Sequence, residues 1–254
     1  MNEENKESKK RLIIPIIVIV IFSIVILVSL YKIVIYIIEG NKSNKVYNST
    51  VDDISIVKEE NKDTGEVTEK YVVNYEDLNS KNEDTKGYLK VNGTDISHII
   101  VQAKDNDYYL KHDFNKEYSS EGWPFADYRN KFDGTDKNII IYGHNMKNNN
   151  MFGTLGNVLS KDWQENPVNH EIIFNTISED HIYKVFSVYT VEVEDYYIQT
   201  DFAGNEFKNF CDKLKARSVY DFNTEVTNDD QILTLSTCGV SSKYRVVVHA
   251  VKIK

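Results

Sequence analysis

The sequence predicts a mainly β domain, a barrel or sandwich of about eight strands with few helices, carried behind an N-terminal membrane span. Three observations predict it. Short apolar runs of strand length recur between Tyr88 and Ile253, each bounded by polar turn residues. Only two longer stretches in that region carry apolar residues at helical spacing. Near the N-terminus, Leu12 to Leu30 holds 19 residues without a charge, long enough to cross a hydrocarbon core of ~30 Å.

Composition narrows the function. The chain has 254 residues, 30 basic against 39 acidic, and is 41% hydrophobic, which supports a sizeable core. An acidic balance with no basic block excludes nucleic acid as the main partner. Cys211 and Cys238 are too few for a disulfide framework, and no Cys/His spacing of a structural metal site appears. No metal and no cofactor is expected.

Residues 12–38 read as a transmembrane signal anchor, with Pro15 in the first helical turn and Lys32 snorkelling beside Tyr31 and Tyr36. A cleaved signal peptide and a buried core helix are the other readings. A signal core is ~7–15 residues and ends at small residues; this run is longer, and no such site follows it. Lys6, Lys9, Lys10 and Arg11 precede the span, and only Lys42 and Lys45 follow closely. The positive-inside rule therefore keeps residues 1–11 in the cytoplasm and exports everything after Gly40.

Residues 39–74 read as a charged, Asn-rich juxtamembrane stalk with no sustained period, and 75–254 as the exported domain. Tyr75–Asp84 is expected as a short helix. Tyr88–Val91 and Ile96–Gln102 flank the hairpin signal Asn92-Gly93. Asn138–Tyr142 is a short buried-type strand, and Ile172–Asn175 and Ile182–Val193 flank a polar turn at Ser178–Asp180. Ile232–Thr237 and Tyr244–Ile253 come last, the second apolar on both faces and hence central. The two helical stretches are Met151–Lys161 and Phe202–Ala216, the latter with Phe207, Phe210, Cys211 and Leu214 on one face.

Two residues able to do chemistry directly follow apolar strands: His144 ends NIIIYGH and Cys238 ends QILTLSTC. A strand end is a rigid mount with room for substrate beyond it. Arg245 opens the last strand, so nucleophile, base and cation can meet at one sheet edge. The plain alternative is a small buried thiol and a satisfied polar histidine.

TLSTC at Thr234–Cys238, the downstream Arg245 and YGHNM at Tyr142–Met146 resemble the sortases, specifically class B. DYRN at Asp127–Asn130 preceded by WPF, Met151-Phe152, IVQ at Ile100–Gln102, KDNDYYL at Lys104–Leu110 and the late helical insertion add to it. The resemblance spans about Tyr75 to Lys254 and implies a closed β-barrel with a helical insertion before the penultimate strand. It implies a membrane-anchored cysteine transpeptidase of a Gram-positive surface. Such an enzyme cleaves a C-terminal sorting signal of secreted proteins through a Cys thioester, then passes the acyl group to an amine of a cell-wall precursor or cross-bridge.

Carried over by position, Cys238 is the nucleophile, His144 its acid/base partner, and Arg245 the cation on the oxyanion or substrate. Ser236 and Thr237 fall on one wall of the family's groove, Asn106 and Leu110 on the other, and Tyr197 and Ile198 in the loop that meets the sorting peptide. Gly239 stands where some relatives carry an acidic residue, and the Cys238–Arg245 link is short. Cys211 reads as a buried thiol, and His98, His112, His170, His181 and His249 as structural. A non-catalytic surface-binding module and simple thiol hydrolysis are the rival functions.

Overall fold

The computed structural model describes the backbone of residues 3–60, 67–238 and 243–253, with side chains over 14–58, 70–237 and 243–253. The chain divides into two compact units, Met1–Lys42 and Ser43–Lys254.

A single helix, α1 (Glu3–Val51), begins in the first unit and ends in the second. It is long and apolar enough to cross a membrane from Ile14 onward, and its apolar side chains there are exposed. Ser23 and Ser29 donate back to the carbonyls of Ile19 (2.9 Å) and Val25 (2.8 Å), which satisfies their hydroxyls within the apolar surface. Because α1 starts at Glu3, Pro15 is an interior residue and not a first-turn one.

The stretch 39–74, expected as a stalk without a sustained period, carries regular secondary structure over most of its described residues. Ser43, Val46 and Thr50 are buried at helical spacing on the last turns of α1. The strands β1 (Ile54–Glu60) and β2 (Val67–Val73) then form an antiparallel hairpin. Ile54, Tyr71 and Val73 of that hairpin pack on the domain, as does Tyr47 of α1. Too few apolar residues carry these contacts for a period to show in the sequence. Next comes α2 (Tyr75–Lys81), capped by Asn74 and stopped at Asn82, whose amide turns inward to Tyr109 (3.0 Å) and the Phe114 carbonyl (2.8 Å).

Eight strands close the barrel: β3 (Thr85–Val91), β4 (Ser97–Val101), β5 (Phe125–Ala126), β6 (Asn138–Gly143), β7 (Glu171–Thr176), β8 (Ile182–Glu192), β9 (Ile232–Cys238) and β10 (Tyr244–Lys252). Their order around it is β10-β8-β7-β3-β4-β5-β6-β9. The β4–β5 and β6–β9 pairs are parallel and the others antiparallel. Alternate residues fill the interior, among them Leu89, Ile141, Phe174, Val185, Leu235 and Val248. On the other face of β8 and β10, Phe186 and Val247 meet Phe207, Phe210, Cys211 and Leu214 of the inserted helix α4 (Glu206–Ala216). Strand β10 is thus covered on both faces, as its apolar run predicts.

Met151–Lys161 differs from expectation. It forms a turn, a 3₁₀ segment at Leu155–Leu159, and then the four-residue helix α3 (Lys161–Gln164). Its apolar Phe152, Leu155 and Val158 recur every three residues, which is the 3₁₀ repeat.

Two histidines are locked in this core. His98 donates from Nε2 to the Met151 carbonyl (3.0 Å), and His249 bonds Tyr189 (2.8 Å) and Thr234 (2.9 Å). Burial depresses them to about 4 and about 3, so both are neutral when folded. Unfolded, each titrates near ~6.5, so the unfolded chain binds more protons below that pH. Their contribution is complete above pH ~6.5 and falls as the pH drops toward the folded values, by up to about 1.4 kcal/mol per pH unit for each. Urea midpoints of the chain from Ser43 onward should therefore decline between pH 6.5 and 5, before the carboxylates titrate. A flat profile there would contradict the neutral assignment.

Candidate active site

Strand direction assembles the site. Strand β9 runs parallel to β6, with Gly143 opposite Thr237, and antiparallel to β10, with Arg245 opposite Cys238. His144 follows the end of β6, Cys238 ends β9, and Arg245 is the second residue of β10. All three positions fall at one edge of the barrel on three neighbouring strands. The Cys238 side chain and Gly239 lie outside the described residues.

His144 is oriented from behind. Its Nε2 lies 3.0 Å from the Leu110 carbonyl, which can only accept, so Nε2 carries the proton of that bond. In the neutral ring Nδ1 is then the acceptor. The loop beyond is closed on itself: Phe152 N–H donates to the His144 carbonyl (3.0 Å), and Asn145 bridges Met151. Asn149 and Met151 adopt left-handed φ values of 66° and 55°. Such conformations are costly for a residue with a Cβ and persist where surrounding contacts fix them. Here the buried Glu121 carboxylate accepts from Asn148 (2.7 Å) and Asn150 (2.8 Å), and His98 holds the Met151 carbonyl. Gly143 has a steric reason: a Cβ there would stand 2.5 Å from the Phe152 ring. The hydroxyl of Thr237 donates to the Gly143 carbonyl, joining the two parallel strand ends.

Beside these residues lies a cleft of about 430 Å³. Asn106 and Leu110 line one wall, Tyr197 and Ile198 another, and Tyr142 to His144 lie in the lining with Ser236, Thr237 and Arg245. Every site residue expected from the sequence whose side chain is described is therefore at this cleft. Sequence reasoning missed Asp107, Glu194 and Asp195, which come from loop positions without a pattern, Phe125 in the two-residue β5, Val193 just past the end of β8, and Tyr142, whose signal was its place in YGHNM.

The wall at 196–199 is tied at four successive residues. Tyr196 donates to Tyr189 (3.0 Å), and Tyr197 shares a hydrogen bond with Ser236 (3.0 Å). The Ile198 carbonyl accepts from Arg129 (2.9 Å), and the Gln199 carbonyl from Asn138 (2.9 Å). Burial raises the Tyr197 hydroxyl above its ordinary value, so it stays neutral and able to donate. Cys211 lies on α4, away from the cleft, and burial pushes its thiol up to about 12. Among the described residues, no group of three or more His, Cys, Asp or Glu side chains is arranged to hold a metal ion.

Residues 89–253 match the sortase domain family. Sortase B of Listeria monocytogenes is 37% identical over 203 residues, 79% of this chain and 81% of that protein. Sortase B from B. anthracis, solved in complex with AAEK1, superposes with a TM-score of 0.73 at 33% identity, covering 86% of this chain and 99% of that one. A Staphylococcus aureus sortase B–substrate complex gives 0.66 at 35% identity, covering 71% and 84%. A sortase B complexed with triglycine gives the same TM-score and identity, covering 71% and 85%. With strand order, cleft and sequence in agreement, this chain belongs to the sortase B family of cysteine transpeptidases.

Proposed function

We propose that residues 12–38 anchor this transpeptidase in the cell membrane with residues 1–11 in the cytoplasm, and that the domain outside joins secreted proteins to a cell-wall amine. The observation that carries this reading is the strand register that brings Cys238, His144 and Arg245 to one edge over a peptide-sized cleft. A sorting peptide lies between the Asn106 and Ile198 walls.

The Cys238 thiolate attacks the carbonyl carbon of the scissile bond, and the carbonyl oxygen takes up the negative charge. A free thiol near pKa ~8.5 needs a cationic neighbour to ionise, and Arg245 and protonated His144 are the groups available. The planar fork of Arg245 donates to the developing oxyanion or to the peptide backbone. His144 gives a proton to the departing amine, leaving a Cys238 thioester. It then takes a proton from the incoming wall amine, whose nitrogen attacks the thioester and releases the Cys238 thiolate. The Leu110 carbonyl holds the ring through both transfers.

Incubating the protein with quenched sorting-peptide libraries, with and without candidate amines such as oligoglycine, tests the reaction. Transpeptidation diverts the acyl group to the amine, whereas hydrolysis leaves the product unchanged by it. A peptide ending in an electrophile should label Cys238 and leave Cys211 unmodified in the folded chain. Mass spectrometry that finds label only on Cys211 would overturn the nucleophile assignment.

Arg245→Lys separates charge from geometry. It keeps the cation but loses the planar fork, so turnover should fall on the order of 10²–10³ while thermal melts stay near wild type. Activity within a few-fold of wild type in a folded Arg245→Lys protein would remove Arg245 from the catalytic set.

A further inference from the structure

Asp127 does not line the cleft, yet parts of the cleft that are far apart in sequence are fastened to it. Its side chain is fully buried and receives donors on both oxygens. Arg129 grips it through Nε to Oδ1 (2.8 Å) and Nη2 to Oδ2 (2.7 Å), and its backbone N–H adds a bond to Oδ1 (2.9 Å). Tyr142 donates its hydroxyl to Oδ2 (2.8 Å), and Asn106 donates its amide to the same oxygen (3.0 Å). The Arg129 Nη2 that holds Oδ2 also reaches across to the Ile198 carbonyl (2.9 Å). One carboxylate and one guanidinium thus link the Asn106 wall, the Tyr142 floor and the Ile198 wall.

The chemistry of the pair suits this task. Burial alone would raise the Asp127 carboxyl, but the side-chain and backbone bonds from Arg129 and the bond from Tyr142 more than offset it and hold it below its ordinary value. The carboxylate therefore stays charged and keeps all its donors engaged. Lysine cannot take the place of Arg129, because one ammonium on a flexible stem does not reproduce a planar fork on two carboxylate oxygens together with a reach to a third acceptor.

We propose that Asp127 and Arg129 are positioning residues that fix the spacing between the two groove walls and so set affinity for the sorting peptide, without taking part in the thioester chemistry. The inference rests on the sorting-peptide reading above.

The test uses the full-length protein in detergent, comparing wild type with Arg129→Lys. Arg129 is 34% exposed, so the variant should fold, and a thermal melt checks it. On a peptide that wild type cleaves, KM should rise about tenfold, the scale of one lost charge-assisted hydrogen bond, with kcat within about threefold. Alkylation of Cys238 by iodoacetamide, which needs neither wall, should keep its wild-type rate. Combining Arg129→Lys with Asn106→Ala should raise KM by less than the product of the single effects, because both act through the Asp127 carboxylate.

An unchanged KM in the folded variant, effects that multiply in full, or a fall in kcat with slowed alkylation would each overturn the inference. Should Arg129→Lys not fold, Tyr142→Phe removes a single donor from the same carboxylate and is read by the same criteria. If wild type itself cleaves no sorting peptide in a Cys238-dependent manner, the functional reading fails and takes this inference with it. If wild type cleaves and KM is unmoved in the variants, only the positioning role fails.

Discussion

The parallel pairing of β6 with β9 is the constraint on which the site depends. Two parallel strands end at the same edge of a sheet, whereas antiparallel neighbours end at opposite edges. Gly143 and Thr237 are paired, so the next residues along each strand, His144 and Cys238, finish side by side. Antiparallel β10 then starts where β9 stops and brings Arg245 opposite Cys238. Reversing either strand would separate these positions by the length of the barrel wall. Because a parallel pair cannot be joined by a tight turn, the connection from β6 to β9 is long. It carries β7, β8, the 196–199 turn and α4, so the same constraint also supplies one wall of the cleft.

The cleft is built for rigidity. Side chains around it are held mostly by hydrogen bonds and by one ion pair, whose carboxylate is fully buried and whose guanidinium is partly exposed. The turn at 196–199 is fastened at every residue, and its Tyr196 tie continues through Tyr189, His249 and Thr234 to Asn138, which holds Gln199. The network leaves the turn at one end and returns at the other. Pre-ordered walls reduce the entropy that a bound peptide must overcome. On the His144 side the unfavourable backbone of Asn149 and Met151 is offset by Glu121 and His98, so both sides of the site share a design of buried polar anchors.

Much of this was legible in the sequence where burial imposes a repeat. Asn138–Tyr142, Ile232–Thr237 and Tyr244–Ile253 are runs too apolar to be anything but covered strands, and α4 shows its buried face at helical spacing. Strand β5 was not legible, because two residues carry no period. Nor were the last turns of α1 and the β1–β2 pair, where a few contacts from Val46, Tyr47, Ile54 and Tyr71 anchor mostly polar sequence. Met151–Lys161 misled because an apolar repeat of three resembles one of three and four. In the site, His144, Cys238 and Arg245 could be singled out by residue type at strand ends. Asp127 and Arg129 stood in the DYRN motif without a role, since their link to Ile198 exists only once the fold joins residues 69 apart.

The sequence distance between the paired ends of β6 and β9 also sets when the enzyme can exist. Gly143 and Thr237 are 94 residues apart, and the hydrogen bond between them forms only after everything between has been made and packed. Until Ile232 and the residues after it emerge, β6 and β8 have no neighbours on the sides that β9 and β10 later occupy. A growing chain that already contains His144 therefore still lacks the strands that complete the cleft beside it. Non-local pairings of this kind form late, after loop-closure entropy has been overcome. Activity thus switches on with barrel closure.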